Sequence, residues 1–192
     1  MPSSPKIPKE TILQHALQML IREGYCALNI KALAKEIGCS TQPISWHFGN
    51  MDGLRRALLE YALQYAKEKQ TISSSGMAAF YEAGTAYIDI AFDEPRLFQY
   101  LYMNNNEKVF IGGFDAITDT TEGNIVKAQI AQQLDINIEE VEIFCRNMMI
   151  YTHGLASFIA AGLITVTKQE VYEMIRQSAK GFLSQINAGL RK

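Results

Sequence analysis

Apolar positions in this chain recur at helical spacing, most clearly over residues 30–48, IKALAKEIGCSTQPISWHF. Ile30, Leu33, Ala34 and Ile37 stand at i, i+3, i+4 and i+7, which lays one apolar stripe along a short helix. Gly38 follows where a chain leaves a helix in a left-handed conformation, which glycine adopts without steric cost. Ser40 is placed to cap a second helix over about 40–47. Pro43 falls in its first turn, where a missing N–H breaks no intrahelical bond. Ile44 and Phe48 are four apart and seat this helix, which leaves Thr41, Gln42, Ser45, Trp46 and His47 facing outward. Two short helices about a glycine turn, the second presenting small polar donors and one aromatic, suit a helix-turn-helix that reads DNA.

The same period divides the rest of the chain. A first helix is predicted from Pro8 or Lys9 to Glu23, ended by Gly24, after an arm (residues 1–8) rich in proline and serine. Asn29 can cap the helix beginning at Ile30, and Asn50 can cap a fourth helix that runs to about Lys69. Leu13, Leu17, Leu20, Leu33, Ile37, Ile44 and Phe48 give the first three helices a small core of their own. After the break at Ser73–Gly76, further helices are predicted at about 77–92, 95–103, 116–134, 138–161 and 167–190, with a loop over 104–115. Thr167 and Glu170 have the spacing of a capping box. Strand-like alternation and internal repeats are not found. The expectation is an all-α chain of about nine helices. Residues 1–49 form a three-helix DNA-binding domain and residues 50–192 a helical domain for ligand binding and dimerisation, joined through the fourth helix.

Composition narrows the class. At 192 residues, 48% hydrophobic and 20% charged, the chain can bury a substantial core. Residues 143–163 form the longest apolar stretch, but Arg146, Asn147, His153 and two glycines interrupt it, so no membrane span and a cytoplasmic protein are expected. Cys26, Cys39 and Cys145 are widely spaced and odd in number, which argues against disulfides and zinc; no metal or other cofactor is expected. The net charge of −2 is unevenly spread. Residues 1–56 hold seven Lys/Arg and four Asp/Glu, a balance of +3, so the basic excess lies with the helix-turn-helix, as phosphate attraction requires.

The residues Ala34-x-x-x-Gly38-x-Ser40-x-x-x-Ile44-x-Trp46-His47-Phe48, followed by Asn50-x-Asp52-x-Leu54, resemble the TetR/AcrR family of transcriptional regulators. The motif resemblance covers about residues 10–60, and the remaining chain is similar in length and helix count. The resemblance implies a dimeric repressor released from a pseudo-palindromic operator by a small-molecule effector. It implies DNA contacts from Asn29, Lys31, Ser40, Thr41, Gln42, Ser45, Trp46 and His47. Gln42 suits adenine N6/N7 and Lys31 guanine O6/N7, whereas Trp46 and His47 suit the sugar-phosphate backbone. Ser45, Met51 and Pro43 depart from the family, which often has Tyr and Lys at the first two positions. A reduced set of phosphate anchors follows.

Phe, Tyr and Met are frequent beyond residue 77, as in an adaptable apolar pocket, and Phe98, Tyr102, Met149 and His153 are the candidate ligand contacts. The last two helices are expected to form a two-fold homodimer: Val171, Ile175, Phe182, Ile186 and Leu190 offer apolar surface, and Ser157, Ala160, Ala161 and Gly162 permit close packing. Enzymatic chemistry is not expected. Cys145 and His153, eight apart on one helix, stand roughly 12 Å apart by helical rise, too far for a nucleophile and its base. The alternative function is a helical ligand- or partner-binding protein whose DNA binding is weakened or lost.

Overall fold

The structure is a computed structural model that describes residues 7–103 and 120–189, with side chains to residue 186. Nine α-helices occur among the described residues. They are α1 (Lys9–Glu23), α2 (Ile30–Ile37), α3 (Gln42–Phe48), α4 (Met51–Lys69), α5 (Gly76–Asp93), α6 (Pro95–Phe98), α7 (Thr121–Leu134), α8 (Ile138–Ala160) and α9 (Lys168–Gly189). A 3-10 turn, Tyr25–Ala27, links α1 to α2. No strand is found among the described residues. The expected loop at 104–115, the expected start of the seventh helix at residue 116 and Leu190 lie outside the described residues.

Local signals set most helix ends. Asn29 Oδ1 accepts from the Ala32 N–H at 2.9 Å, and Asn50 Oδ1 accepts from the Gly53 N–H at 2.9 Å. The Thr167–Glu170 capping box forms, and Asn137 with Glu140 makes a second one at the start of α8. One expected cap does not form. α3 begins at Gln42, with Thr41 in the flanking position, and neither Thr41 nor Ser40 caps it. A capping side chain accepts from the second or third N–H of the helix, and the second residue here is Pro43, which has none.

The described residues pack into two units. The first comprises the described parts of Met1–Lys69 and Glu94–Asn104. It therefore reaches past the residue-49 boundary drawn from sequence, taking in α4 and a later segment. Leu54, Leu58 and Ala62 of α4 are fully buried. So are Leu97 and Phe98 of α6, and the helix then widens into a π turn, Gln99–Met103, where one continuous α-helix was expected. The π turn carries Tyr100 inward, 5.1 Å from the Tyr25 ring, and its hydroxyl donates to the Arg55 carbonyl at 3.4 Å. Burial pushes the Tyr100 hydroxyl up to about 12. Glu94 accepts from the Tyr65 hydroxyl at 2.8 Å and from Lys69 Nζ at 2.5 Å, which ties the segment to the end of α4.

The second unit comprises Gln70–Asp93 and the described parts of Asn105–Lys192. Ile88, Ile130, Phe144, Val141 and Val171 form its centre, with the Phe80 and Phe144 rings 5.3 Å apart. Glutamines of α7 satisfy the open N-terminus of α5: Gly76 N–H donates to Gln129 at 2.8 Å, and Met77 N–H to Gln133 at 2.9 Å. A polar seam joins α5 to α9. Lys168 Nζ stands 2.8 Å from both Asp89 and Asp93, and the Tyr172 hydroxyl donates to Asp89. Partial burial of Lys168 opposes its charge most strongly among single effects, but its bonds to the two carboxylates together outweigh this and raise its pKa.

Candidate nucleic-acid interface

The reader is built from the first unit outward. α1 supplies a buried platform of Leu13, Ala16, Leu17 and Leu20. On it sit Leu33 and Ala34 from α2 and Ile44 from α3, each at most 3% exposed. Ile37 and Phe48, expected in this core, are half-buried at its edge. Gly38 joins the two helices with φ 76° and ψ 34°, a left-handed residue whose N–H closes back on α2. α3 is only seven residues and ends at Gly49, φ 75°.

All eight candidate DNA-binding residues are exposed: Asn29, Lys31, Ser40, Thr41, Gln42, Ser45, Trp46 and His47. Trp46 is 69% exposed, a large cost in apolar surface for a side chain with only structural duties. Asn29 uses its side-chain oxygen on the α2 cap, so the amide nitrogen is what it has left to offer; that nitrogen stands 3.3 Å from the Ala27 carbonyl. His47 differs from its neighbours. Its Nε2 lies 2.9 Å from the Ile7 carbonyl, 40 residues away.

The charge around this face is narrower than the count of basic residues implies. Arg22 pairs with Glu23 at 2.6 Å and Glu36 at 3.2 Å, and Arg55 pairs with Asp52 at 3.1 Å. Lys9 Nζ stands 5.7 Å from the centre of the Phe48 ring. Among the described residues of this segment, Lys31, Lys35 and Arg56 are exposed and take no part in these ion pairs.

A position that the sequence pattern passed over lies just behind α3. Gly53, in the first turn of α4, runs so close to the end of α3 that a Cβ there would stand 1.9 Å from the Phe48 carbonyl oxygen. Spacing gives no sign of this, because the close approach joins two helices whose crossing no local pattern encodes.

Residues 12–58 match the model for bacterial regulatory proteins of the tetR family. The chain carries a TetR-family regulatory domain on a TetR-like fold. Among solved structures, a TetR-like transcriptional regulator from Rhodococcus sp. RHA1 is 14% identical, with a TM-score of 0.64, 93% of this chain covered and 98% of that one. TetR from Acinetobacter baumannii AYE is 15% identical, with a TM-score of 0.55 and 97% of each chain covered. BioQ with its natural double-stranded DNA operator is 16% identical, with a TM-score of 0.50, 90% of this chain covered and 98% of that one. No curated protein sequence matches the chain. The likeness to these structures thus extends the TetR fold well beyond the TetR-family domain.

The four candidate ligand contacts of this TetR-like chain divide between the two units. Phe98 is fully buried in the first unit and its ring centre is 5.0 Å from that of Tyr102. Met149 and His153 are half-buried in the second. There the Tyr87 hydroxyl lies 2.8 Å from His153 Nδ1, and Ser157 Oγ lies 3.4 Å from Nε2. Burial lowers the pKa of the His153 ring. A small cavity of about 70 Å³ opens in the second unit, lined by Leu134, Ile136, Leu183 and Ile186. That is well below the roughly 300–1,000 Å³ usual for a small-molecule site. Cys145 is buried, and burial raises its thiol to about 11, which makes it inert as a nucleophile at neutral pH.

Among the described residues, no helix is long and apolar enough to cross a membrane, and no cluster of His, Cys, Asp or Glu is arranged to hold a metal.

Proposed function

We propose that this chain is a ligand-responsive transcriptional regulator acting in the cytoplasm, a dimeric repressor that leaves a pseudo-palindromic operator when a small molecule binds. The observation that carries the reading is the exposed face of α3 with Lys31 beside it in sequence on α2, held on a buried platform within a TetR-family domain. Gln42 and Thr41 at the start of α3 read base edges in the major groove, Lys31 reads a guanine or a phosphate, and Ser45 and Trp46 serve the backbone. The structure solved for BioQ holds a double-stranded DNA operator, which makes DNA the natural partner to test first.

Residues 1–49 act as the reader and residues 50–192 as the effector and dimerisation domain. The dimer forms through α8 and α9. Val171 and Ile175, expected to offer apolar surface to the partner, are buried within their own unit, and the exposed apolar side chains of these helices include Ile143, Ile150 and Phe158 on α8 and Met174 on α9. Two heads then engage half-sites about one DNA turn apart. Effector binding, around Met149 and His153 or around Phe98 and Tyr102, changes the separation of the heads. A coupling of roughly 1–3 kcal/mol shifts affinity about 5–150-fold. Two stretches of chain can carry the signal: α4, which leads out of the reader, and the α5–α6 connection, which returns to it. The chain carries out no catalysis in this reading.

The test is enrichment of sheared genomic DNA by the purified protein, followed by sequencing. A shared pseudo-palindrome among the enriched fragments is expected. Enrichment no greater than for a protein lacking residues 1–49 sinks the regulator reading. A thermal-shift screen of small molecules, repeated with the enriched duplex present, then identifies the effector.

A further inference from the structure

We propose that His47 is a positioning residue of the reader: by bonding the Ile7 carbonyl it fixes the last turn of α3 to the start of α1, and so sets how the reading face meets DNA. The proposal rests on the DNA-binding reading above and gives His47 a different task from the backbone contact expected of it. A carbonyl oxygen can only accept, so at 2.9 Å the His47 Nε2 carries the hydrogen and spends it on Ile7. That nitrogen is then not available to a phosphate.

Three further observations say why this bond matters to presentation. α3 is seven residues long, lacks a side-chain cap at its start and ends at a glycine of positive φ. So short a helix has little stability of its own and is held by what it packs against. Ile44 anchors its middle, but the last turn relies on half-buried Phe48, with Lys9 Nζ near its ring, and on His47. Finally, the clamp is stiff on the other side. Ile7 is followed by Pro8, whose ring fixes φ at −62°, and the Pro8 carbonyl accepts from the Ile12 N–H at 3.3 Å in the first turn of α1. Pinning Ile7 therefore pins the start of α1, the helix on which the reader packs.

A positioning role has two signatures that together a direct contact lacks: an unchanged salt slope, which excludes a cationic phosphate contact, and a loss that vanishes when the Ile7 carbonyl is removed, which excludes an uncharged one. Loss of His47 should weaken binding without changing the number of cations that displace counterions, so the dependence of affinity on salt should not change. The probe is the duplex most enriched by the wild-type protein from a random-sequence library. His47→Leu should bind it about tenfold more weakly with an unchanged salt slope. His47→Gln, which keeps an N–H near the ε position, should recover most of that loss. In a chain lacking residues 1–7, which has no Ile7 carbonyl, His47→Leu should cost nothing further. Hydrogen exchange, read without DNA, should show the Ile12 amide exchanging faster in His47→Leu than in the wild type or His47→Gln. Losses that add in the shortened chain mean that His47 acts on DNA directly and overturn the proposal, as does unchanged binding by His47→Leu or unchanged exchange at Ile12. If the wild type enriches no duplex at all, the regulator reading fails and this role fails with it. If the wild type binds and the variants do not separate as stated, only the role of His47 fails.

Discussion

Gln42 and Lys31 differ in what they can tell a DNA duplex apart by. The Gln42 amide pairs donor with acceptor and suits one base edge, whereas the Lys31 ammonium is a point charge that serves a guanine or a phosphate. Gln42→Ala should therefore cost about 1–3 kcal/mol on the preferred sequence and relax preference at one base pair, with the salt slope unchanged; binding to a panel of single-base operator variants measures this. Met51 begins α4 and is half-buried, at the position where the family often has a lysine. Met51→Lys should tighten operator binding at low salt and steepen the salt dependence by about one unit. A salt series with no change in slope would show that residue 51 does not reach a phosphate. Ser45 was legible as a departure from the family in the same way, because side-chain chemistry is written in the sequence. The engagement of His47 with Ile7 was not, since the two residues are 40 apart and only the folded chain brings them together.

Helices show a similar division between local and non-local causes. Asn29, Asn50 and Thr167–Glu170 are short-range signals, and each forms the bond its spacing implies. The start of α3 moved because Pro43 removes one of the two N–H groups that a capping oxygen can use. The meeting of α3 and α4 depends on Gly53. Gly53→Ala would place a methyl 1.9 Å from the Phe48 carbonyl oxygen, and backbone cannot move aside as a side chain can. Overpacking of this kind costs about 1–3 kcal/mol, so thermal unfolding of the variant should begin at lower temperature and DNA affinity should fall with it. In the second unit, His153 links α5 to α8 through Tyr87. Burial lowers the pKa of the ring, so the unfolded chain binds the proton more readily than the folded one. Stability from this source is complete above the unfolded value of about 6.5 and is lost as the pH falls below it. Thermal melts between about pH 7 and pH 5 should show a steeper acid loss for the wild type than for His153→Gln.

At the scale of the whole molecule, the proposed regulator needs two copies. The exposed Ile150 and Phe158, at 49% and 51%, lie on α8, and a monomer would leave them in water. Ile150→Asp should shift the mass measured by light scattering from dimer to monomer and weaken operator binding by about tenfold or more, because each head would then bind alone. An unchanged dimer would place the interface elsewhere. Chain order alone also hides how the reader is supported. Residues 94–103 follow α5 in sequence but pack with the first unit, through Leu97, Phe98 and Tyr100. In sequence, Phe98 and Tyr102 look like Met149 and His153, because aromatic and polar positions beyond residue 77 carry no local mark of the unit they join. The fold assigns the two pairs to different units.

The sequence by itself determined the helices, most of their caps, the glycine turn of the reader and the chemistry of its outward face. These follow from spacing and from side chains acting within a few residues of one another. The tertiary structure decided what spacing cannot encode: the packing of residues 94–103 against α1 and α4, the close approach at Gly53 and the bond from His47 to Ile7. The first and the last join residues distant in the chain, while Gly53 meets Phe48 across the short join of two helices, and the geometry of each is set by how whole helices bury their apolar faces. The helix-turn-helix at residues 30–48 was legible early because its logic is local. The way it is held is not, because that depends on contacts made from Ile7 and from Tyr100 alike.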